Sequence, residues 1–310
     1  MSITAAQVKE LRDKTGAGMM DAKNALTEAQ GDMEKAQELL RQKGLATAAK
    51  KSGRAAAEGV VIANIFNNGQ SGVLLEVNCE TDFVGKGEAF LALANNLVQH
   101  ATEKTPADLD VFLDQPYLHN NSQTVRDTIT EAVASIKENL SLRRYVAFNR
   151  TAPGLVHAYI HTGSKIGVLA ELSFGNAATA QNDAVKALAK DVCMQIASAG
   201  ADFVSRNDIP SAVVEEETRI EMGKEDLQNK PEEVRAKIVK GRVDKLMGQR
   251  VLIEQPFVKD PGLTIEALLD NLSKQIGDTI AVVRFTRFVL GEGIEKVQAN
   301  FAEEVMAQLR

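Results

Sequence analysis

The middle of this chain repeats itself, and the repeat limits the folds open to it. Gly59 and Gly154, Gly72 and Gly167, and Glu76 and Glu171 share one offset of 95 residues (154 − 59). Val60-Val61-Ile62-Ala63 answers to Leu155-Val156-His157-Ala158, and Val73-Leu74-Leu75-Glu76 to Val168-Leu169-Ala170-Glu171. Each set reads as two strands joined by a Gly-containing turn, because β-branched runs broken by Gly and Asn favour hairpins. A helix follows at the same offset, where Glu88-Ala89 and Leu93-Ala94 match Asp183-Ala184 and Leu188-Ala189. The expected class is α+β. It is a duplicated core of antiparallel hairpins packed with helices, its lobes at 59–150 and 151–210, the second completed by 253–290.

With 310 residues the chain has room for several such units. Trp is absent and aromatics make up 5%, so the cores must be built from Ala, Val, Leu, Ile and Met. A net charge of −6 argues against direct nucleic-acid binding, since phosphate contacts need a basic patch. Lys50, Lys51 and Arg54 form one small basic cluster, in an Ala-rich stretch at 46–58 that reads as a hinge or partly helical linker. Cys79 and Cys193 are too few for a disulfide framework or a Cys-rich zinc site; flanked by apolar residues, they read as buried thiols. Met1-Ser2-Ile3-Thr4 has no basic segment leading into an apolar run, and no window approaches the roughly 18 apolar residues of a membrane span. A cytoplasmic protein with no membrane partner is expected.

Function points to the end of the first repeat. In Leu74-Leu75-Glu76-Val77-Asn78-Cys79-Glu80-Thr81-Asp82-Phe83-Val84-Gly85-Lys86 an apolar strand stops abruptly in a polar turn carrying one aromatic beside one acid. Loops on a rigid scaffold are where folds present functional side chains. Phe83 lies where no core aromatic is required, which makes it a candidate wedge for a partner. The alternative is that Phe83 folds back onto the domain while Asp82 caps a helical turn. At this position the second repeat has Phe174 to Thr179, without TDFV. Ala201-Asp202-Phe203-Val204 looks similar but follows the helix rather than the strand, and is expected to pack under the next segment.

Helical modules flank the core. Residues 1–45 parse as three short helices. Thr4 caps the first, which carries Val8 and Leu11 and stops near Gly16. The second follows Gly18, with Met19, Ala22, Ala25, Leu26 and Ala29 at helical spacings. Asp32 caps the third, whose Met33, Ala36, Leu39 and Leu40 face inward and whose end is marked by Gly44. Three helices bury little area, which leaves an exposed apolar edge. The glycines of Lys14-Thr15-Gly16-Ala17-Gly18-Met19-Met20-Asp21-Ala22-Lys23 push two methionines forward, and methionine suits an adaptable binding surface. Periodicity alone would instead place both in the core.

Between the lobes a helix is expected over 125–140 and a strand over 143–148, with Arg143 and Arg144 either a phosphate site or solvated. In 211–252, Val213, Ile220 and Leu227 recur at sevens, while Ala236, Val239, Val243 and Leu246 step by three and four. Narrow apolar stripes on two helices joined at Asn229-Lys230-Pro231 predict an inserted antiparallel coiled-coil hairpin. Residues 291–310 predict a terminal helix with Phe301, Val305 and Leu309 on one face.

Four of these segments carry a family resemblance: NCETDFV from Asn78 to Val84, LRDKTGAGMMDAKNAL from Leu11 to Leu26, Gln255-Pro256-Phe257, and Gly291-Glu292-Gly293-Ile294-Glu295. Through them the chain resembles the bacterial elongation factor Ts family over nearly its whole length. The resemblance implies a two-lobed core with the TDFV loop in one lobe. It also implies a UBA-like (ubiquitin-associated) N-terminal domain that docks on the GTPase domain of elongation factor Tu. The activity implied is guanine-nucleotide exchange on that partner, bound in its GDP-bound and nucleotide-free forms. By the same resemblance, Phe83 enters an apolar pocket between partner helices and Asp82 disturbs the groups that support the partner's Mg²⁺. Thr81 and Val84 hold the loop in shape, while Met19, Met20 and His161 add docking contacts. A second copy of the chain is a further candidate partner.

No catalytic constellation converges. Phosphate-loop, dinucleotide, HExxH and GxSxG patterns are all missing from the sequence. His157 and His161 have the spacing of a helical metal pair, yet on the strand expected there they stand ~13 Å apart, at about 3.3 Å per residue. That is too far to share an ion; His161, near the turn Thr162-Gly163-Ser164-Lys165, either touches a partner or is an ordinary surface histidine. No catalytic residue, metal or cofactor is expected. The competing reading is a non-enzymatic helical adaptor that binds another protein through its N-terminal module.

Overall fold

The computed structural model describes residues 3–295, so most of the predicted terminal helix, with Phe301, Val305 and Leu309, lies outside the described residues. Three helices open the chain. α1 (Ala5–Thr15) starts with a capping box in which Thr4 and Gln7 bond each other's backbone N–H, and it stops at Gly16 in the left-handed region. α2 (Met19–Glu28) and α3 (Met33–Lys51) fold against it over Val8, Leu11, Ala22, Ala25, Leu26 and Ala36. Contrary to expectation, α3 does not stop at Gly44; it continues to Lys51, through the first part of the predicted linker. A helical glycine costs only about 1 kcal/mol. At Gly44 it permits close packing, since an added Cβ would lie 3.3 Å from the Ala134 side chain.

The first lobe begins with the expected hairpin of β1 (Glu58–Phe66) and β2 (Ser71–Cys79). A single turn, α4 (Asp82–Gly85), leads into α5 (Glu88–Lys104). Then come α6 (Leu109–Asp114), a small hairpin of β3 (Pro116–Tyr117) and β4 (Asn120–Thr124), and α7 (Val125–Ile136). α7 is a turn shorter than predicted because Lys137 adopts the left-handed conformation (φ 69°) and ends it. β5 (Ser141–Asn149) then pairs with β2.

The second lobe repeats the plan with β6 (Gly154–Ile160), β7 (Ile166–Phe174) and α8 (Asp183–Ala199). An insertion follows, α9 (Ser211–Met222) and α10 (Glu232–Arg250). The plan then resumes with β8 (Pro256–Phe257), β9 (Asp260–Thr264), α11 (Ile265–Ile276) and β10 (Ile280–Val289). The repeat thus extends beyond the hairpins. Gln115-Pro116-Tyr117 and Gln255-Pro256-Phe257 open matching hairpins at an offset of 140 (255 − 115), lengthened from 95 by the insertion.

Two antiparallel sheets, β1-β2-β5 and β6-β7-β10, pack face to face through Val61, Leu74, Phe148, Val156, Leu169 and Phe288. Helices cover the outer faces, α5 and α7 on the first sheet, α8 and α11 on the second. β2, covered on both sides, is buried along its whole length, which accounts for the apolar run Val73-Leu74-Leu75, and Ser71, Glu76 and Asn78 are buried with it. Gly72 pairs with Phe148 and Gly167 with Phe288. A Cβ on Gly72 would lie 2.9 Å from Leu169, and one on Gly167 only 2.4 Å from Val61. The repeated glycines are where the sheets approach.

The repeated acids are buried as well. Glu76 accepts from Arg143 (3.1 Å) and Arg144 (2.5 Å), and Glu171 from Arg150 and Arg284 (2.7 Å). Arg144 lies over the Phe288 ring at 4.4 Å and Arg284 over Phe148 at 4.2 Å, so each lobe's arginine reaches the other's aromatic. Arg143 and Arg144 are therefore neither a phosphate site nor freely solvated.

α9 and α10 run antiparallel, joined by Glu221–Arg242 (3.5 Å) and Glu217–Arg250 (3.7 Å) around Val239, Val243, Met247 and Leu227. Three predicted positions differ. Ile220 and Ala236 face solvent, and Leu227 sits past the end of α9 in the connecting turn, where it seals the pair. Phe203 packs beside Val251 beneath Arg250.

Candidate functional site

β2 delivers the TDFV loop. Thr81, not Asp82, is the N-cap of α4: its backbone is extended and its hydroxyl accepts the Val84 N–H at 3.3 Å. Asp82 stands one residue further, exposed, and pairs with Lys86 at 2.7 Å. The hydrogen bond from Lys86, then its charge, holds the Asp82 carboxyl below the usual carboxylate range. Phe83 is 84% exposed, so it does not fold back onto the domain. Val84 is half-buried against the first-lobe core.

The backbone behind Phe83 is tied down. Glu138, just past α7, accepts the N–H groups of Glu80 and Thr81 (3.0 Å each) and the Thr81 hydroxyl (2.6 Å). Glu80 returns the favour by accepting the Asn139 N–H (2.6 Å), and it pairs with Arg54 (3.5 Å). Beneath, the Cys79 thiol donates to the Thr81 carbonyl (3.1 Å). Burial, then the charges of Glu138 and Glu58, pushes that thiol up to about 12, so it stays a neutral donor. Sequence reasoning does not single out Glu138. The signal that finds it is the longer repeat: Asp278, 140 residues on, holds the Gly175 and Asn176 N–H groups and the Thr179 hydroxyl in the second lobe.

Met19 and Met20 are 49% and 64% exposed at the start of α2 and do not enter the core. Their neighbour Asp21 pairs with Lys137 at 3.0 Å, and Lys51 donates to the Lys137 carbonyl. The three-helix module is therefore fastened to the short segment that grips the loop. His161 is exposed in the turn after β6, with the Tyr159 hydroxyl 3.0 Å from its Nδ1. That turn is held to β1 by the Val61 N–H donating to Ser164 (2.7 Å) and by Lys165–Glu58 (3.6 Å). The Lys165 charge is also felt at Asp82. His157 is half-buried on β6, and burial lowers its imidazole pKa.

A family model described as Elongation factor TS matches residues 80–292, which take in the TDFV loop, β5 of the first sheet, the whole second sheet and the inserted helices. The chain belongs to the elongation factor Ts family. Elongation factor Ts of Nostoc sp. (strain PCC 7120) is 46% identical over 309 residues, covering 99% of this chain and 98% of the relative. Elongation factor Ts of Trichlorobacter lovleyi is 45% identical over 307 residues, with coverage of 99% and 98%. The Clostridium botulinum protein (strain Eklund 17B / Type B) is 45% identical over 307 residues, covering 99% of each. Membership in the elongation factor Ts family makes this a translation elongation factor of protein biosynthesis. Among the described residues no helix is long and apolar enough to cross a membrane.

Proposed function

We propose that this chain is the guanine-nucleotide exchange factor for elongation factor Tu: it binds the GDP-bound partner and promotes GDP release so that GTP can enter. The observation that carries the reading is Phe83, a large aromatic held in water by a backbone fixed on both sides. Such a side chain gains nothing within its own fold and suits an apolar pocket on a partner. The role is non-catalytic. Exchange requires only that factor and nucleotide weaken each other's binding by the same coupling free energy.

GTPases hold nucleotide through phosphate-cradling amides and Mg²⁺. In this reading Phe83 wedges partner helices apart, and Asp82 disturbs groups that support the Mg²⁺. Thr81, as the cap, and Val84, against the core, keep the turn in shape. Met19, Met20 and His161 add docking area, with α1 to α3 acting as a UBA-like module and α9 with α10 as a projecting coiled coil. In this reading the chain itself needs no metal or cofactor of its own.

Release of labelled GDP from elongation factor Tu tests the reading. Burying a Phe side chain is worth about 1.5–3 kcal/mol, so Phe83→Ala should lose one to two decades of stimulation. Its melting temperature should not change, because Phe83 packs on nothing in its own fold. Wild-type stimulation by a folded Phe83→Ala protein would sink the wedge.

A further inference from the structure

We infer that Glu138 is a positioning residue for the exchange loop, acting on the partner only through Phe83. The inference rests on the exchange reading above. One carboxylate takes three donors from the loop: the Glu80 N–H, the Thr81 N–H and the Thr81 hydroxyl. Hydrogen bonds to an ionised acceptor are shorter and stronger than neutral ones. Because the Thr81 hydroxyl gives its hydrogen to Glu138, its lone pairs are left for the Val84 N–H. The cap of α4 is thereby set in one polarity, and the direction of Phe83 with it.

The second lobe supplies an independent observation. Asp278 grips the Gly175 N–H, the Asn176 N–H and the Thr179 hydroxyl in the same manner. Yet the loop it holds, Gly175-Asn176-Ala177-Ala178-Thr179-Ala180, carries no aromatic. The clamp therefore belongs to the scaffold of both lobes, and only the first lobe uses it to aim a wedge. Glu138 also sits between Lys137, bound to Asp21 and Lys51, and Asn139, bound to Glu80 and the Arg54 carbonyl. A segment pinned on both sides gives its carboxylate little freedom to follow a loosened loop.

The test is GDP release from elongation factor Tu, titrated with wild type, Glu138→Ala, Glu138→Gln and Glu138→Asp, each with Phe83 and with Phe83→Ala. If the freed loop holds the wedge geometry about a tenth of the time, Glu138→Ala lowers the maximal rate about tenfold. The half-saturating concentration should barely move, since the docking surface is untouched. Glu138→Asp keeps the carboxylate that the second lobe uses and should stay within about threefold of wild type, following the logic of a preorganised site. In the Phe83→Ala background Glu138→Ala should make no further difference, as expected of residues acting in one chain of effect. Should Glu138→Ala fold poorly, Glu138→Gln carries the test, because its amide nitrogen cannot accept the donors that the second carboxylate oxygen takes. A Glu138→Gln protein as fast as wild type, or a defect that persists without Phe83, overturns the positioning role. A wild-type chain that fails to speed GDP release overturns the exchange reading itself.

Discussion

His100 shows how a single buried side chain ties stability to pH. It is fully buried on α5, where its Nδ1 accepts the Leu118 N–H at 3.1 Å. Its hydrogen therefore sits on Nε2, which donates to Gln115 Oε1 at 2.9 Å. A protonated ring would set N–H against N–H, and burial lowers the His100 pKa even though Gln115 pulls the other way. In the second lobe Gln195 fills the same place: its Oε1 accepts the Val258 N–H (2.8 Å) and its Nε2 donates to Gln255 (3.1 Å). An amide offers the same acceptor and donor without titrating. As pH falls, the unfolded chain binds the proton first, so stability is complete above the ordinary value of 6.5 and declines below it. His100→Gln should fold and flatten the fall in urea stability between about pH 7 and pH 5. An unchanged pH slope in the variant would remove His100 as its source. At this scale Phe83 was legible, because an aromatic in a polar strand-to-helix turn stands out. Glu138 and His100 were not, because their partners come from distant segments and ordinary Glu and His carry no local mark.

Elements that announce themselves by period were legible, and those set by packing were not. The hairpins of β1–β2 and β6–β7 follow from apolar runs and Gly breaks, whereas β3, β4, β8 and β9 are too short to show any period. Gly44 read as a helix end because glycine is common there, but contact with Ala134 decides its place within α3. The continuity of α3 matters for where a docking unit can be cut. Ala48 packs on the first-lobe core and Arg41 pairs with Asp127 at 3.4 Å, so cutting at residue 45 would divide a helix that braces α7. Deleting residues 1–30 removes α1, α2 and both methionines yet keeps α3 with its Asp32 cap. That protein should retain a folded core and lose about tenfold or more in affinity for elongation factor Tu by calorimetry, the size expected for losing exposed anchors. Its maximal GDP release should be less affected, since the TDFV loop remains. Unchanged affinity would show that Met19 and Met20 are not an interface.

Across the whole molecule the duplication closes on itself. Each sheet gives its glycine, its aromatic and its buried acid to a shared layer, so neither lobe has a complete core without the other. Glu76 is one such link. It lies on β2 but accepts the Gly291 N–H at 2.9 Å, from just beyond β10. Its partners Arg143 and Arg144 reach on to the Glu292 carbonyl (2.6 Å) and the Val289 carbonyl (2.7 Å). Burial raises the Glu76 pKa, but the Gly291 N–H and Arg144 outweigh it, and the net shift is downward. The unfolded carboxyl therefore binds its proton at a higher pH than the folded one. The stabilisation is complete above the ordinary value of 4.5 and is lost as pH falls through the lowered folded value. Removing one member of a buried pair costs 3–5 kcal/mol, and Glu76→Gln should cost about 3, because the two arginines can turn toward water. Urea unfolding should show the gap between wild type and Glu76→Gln at its full size near about pH 7 and shrinking below about pH 4. A gap that stays constant into acid would mean that the glutamine weakens packing rather than the charge link between the lobes.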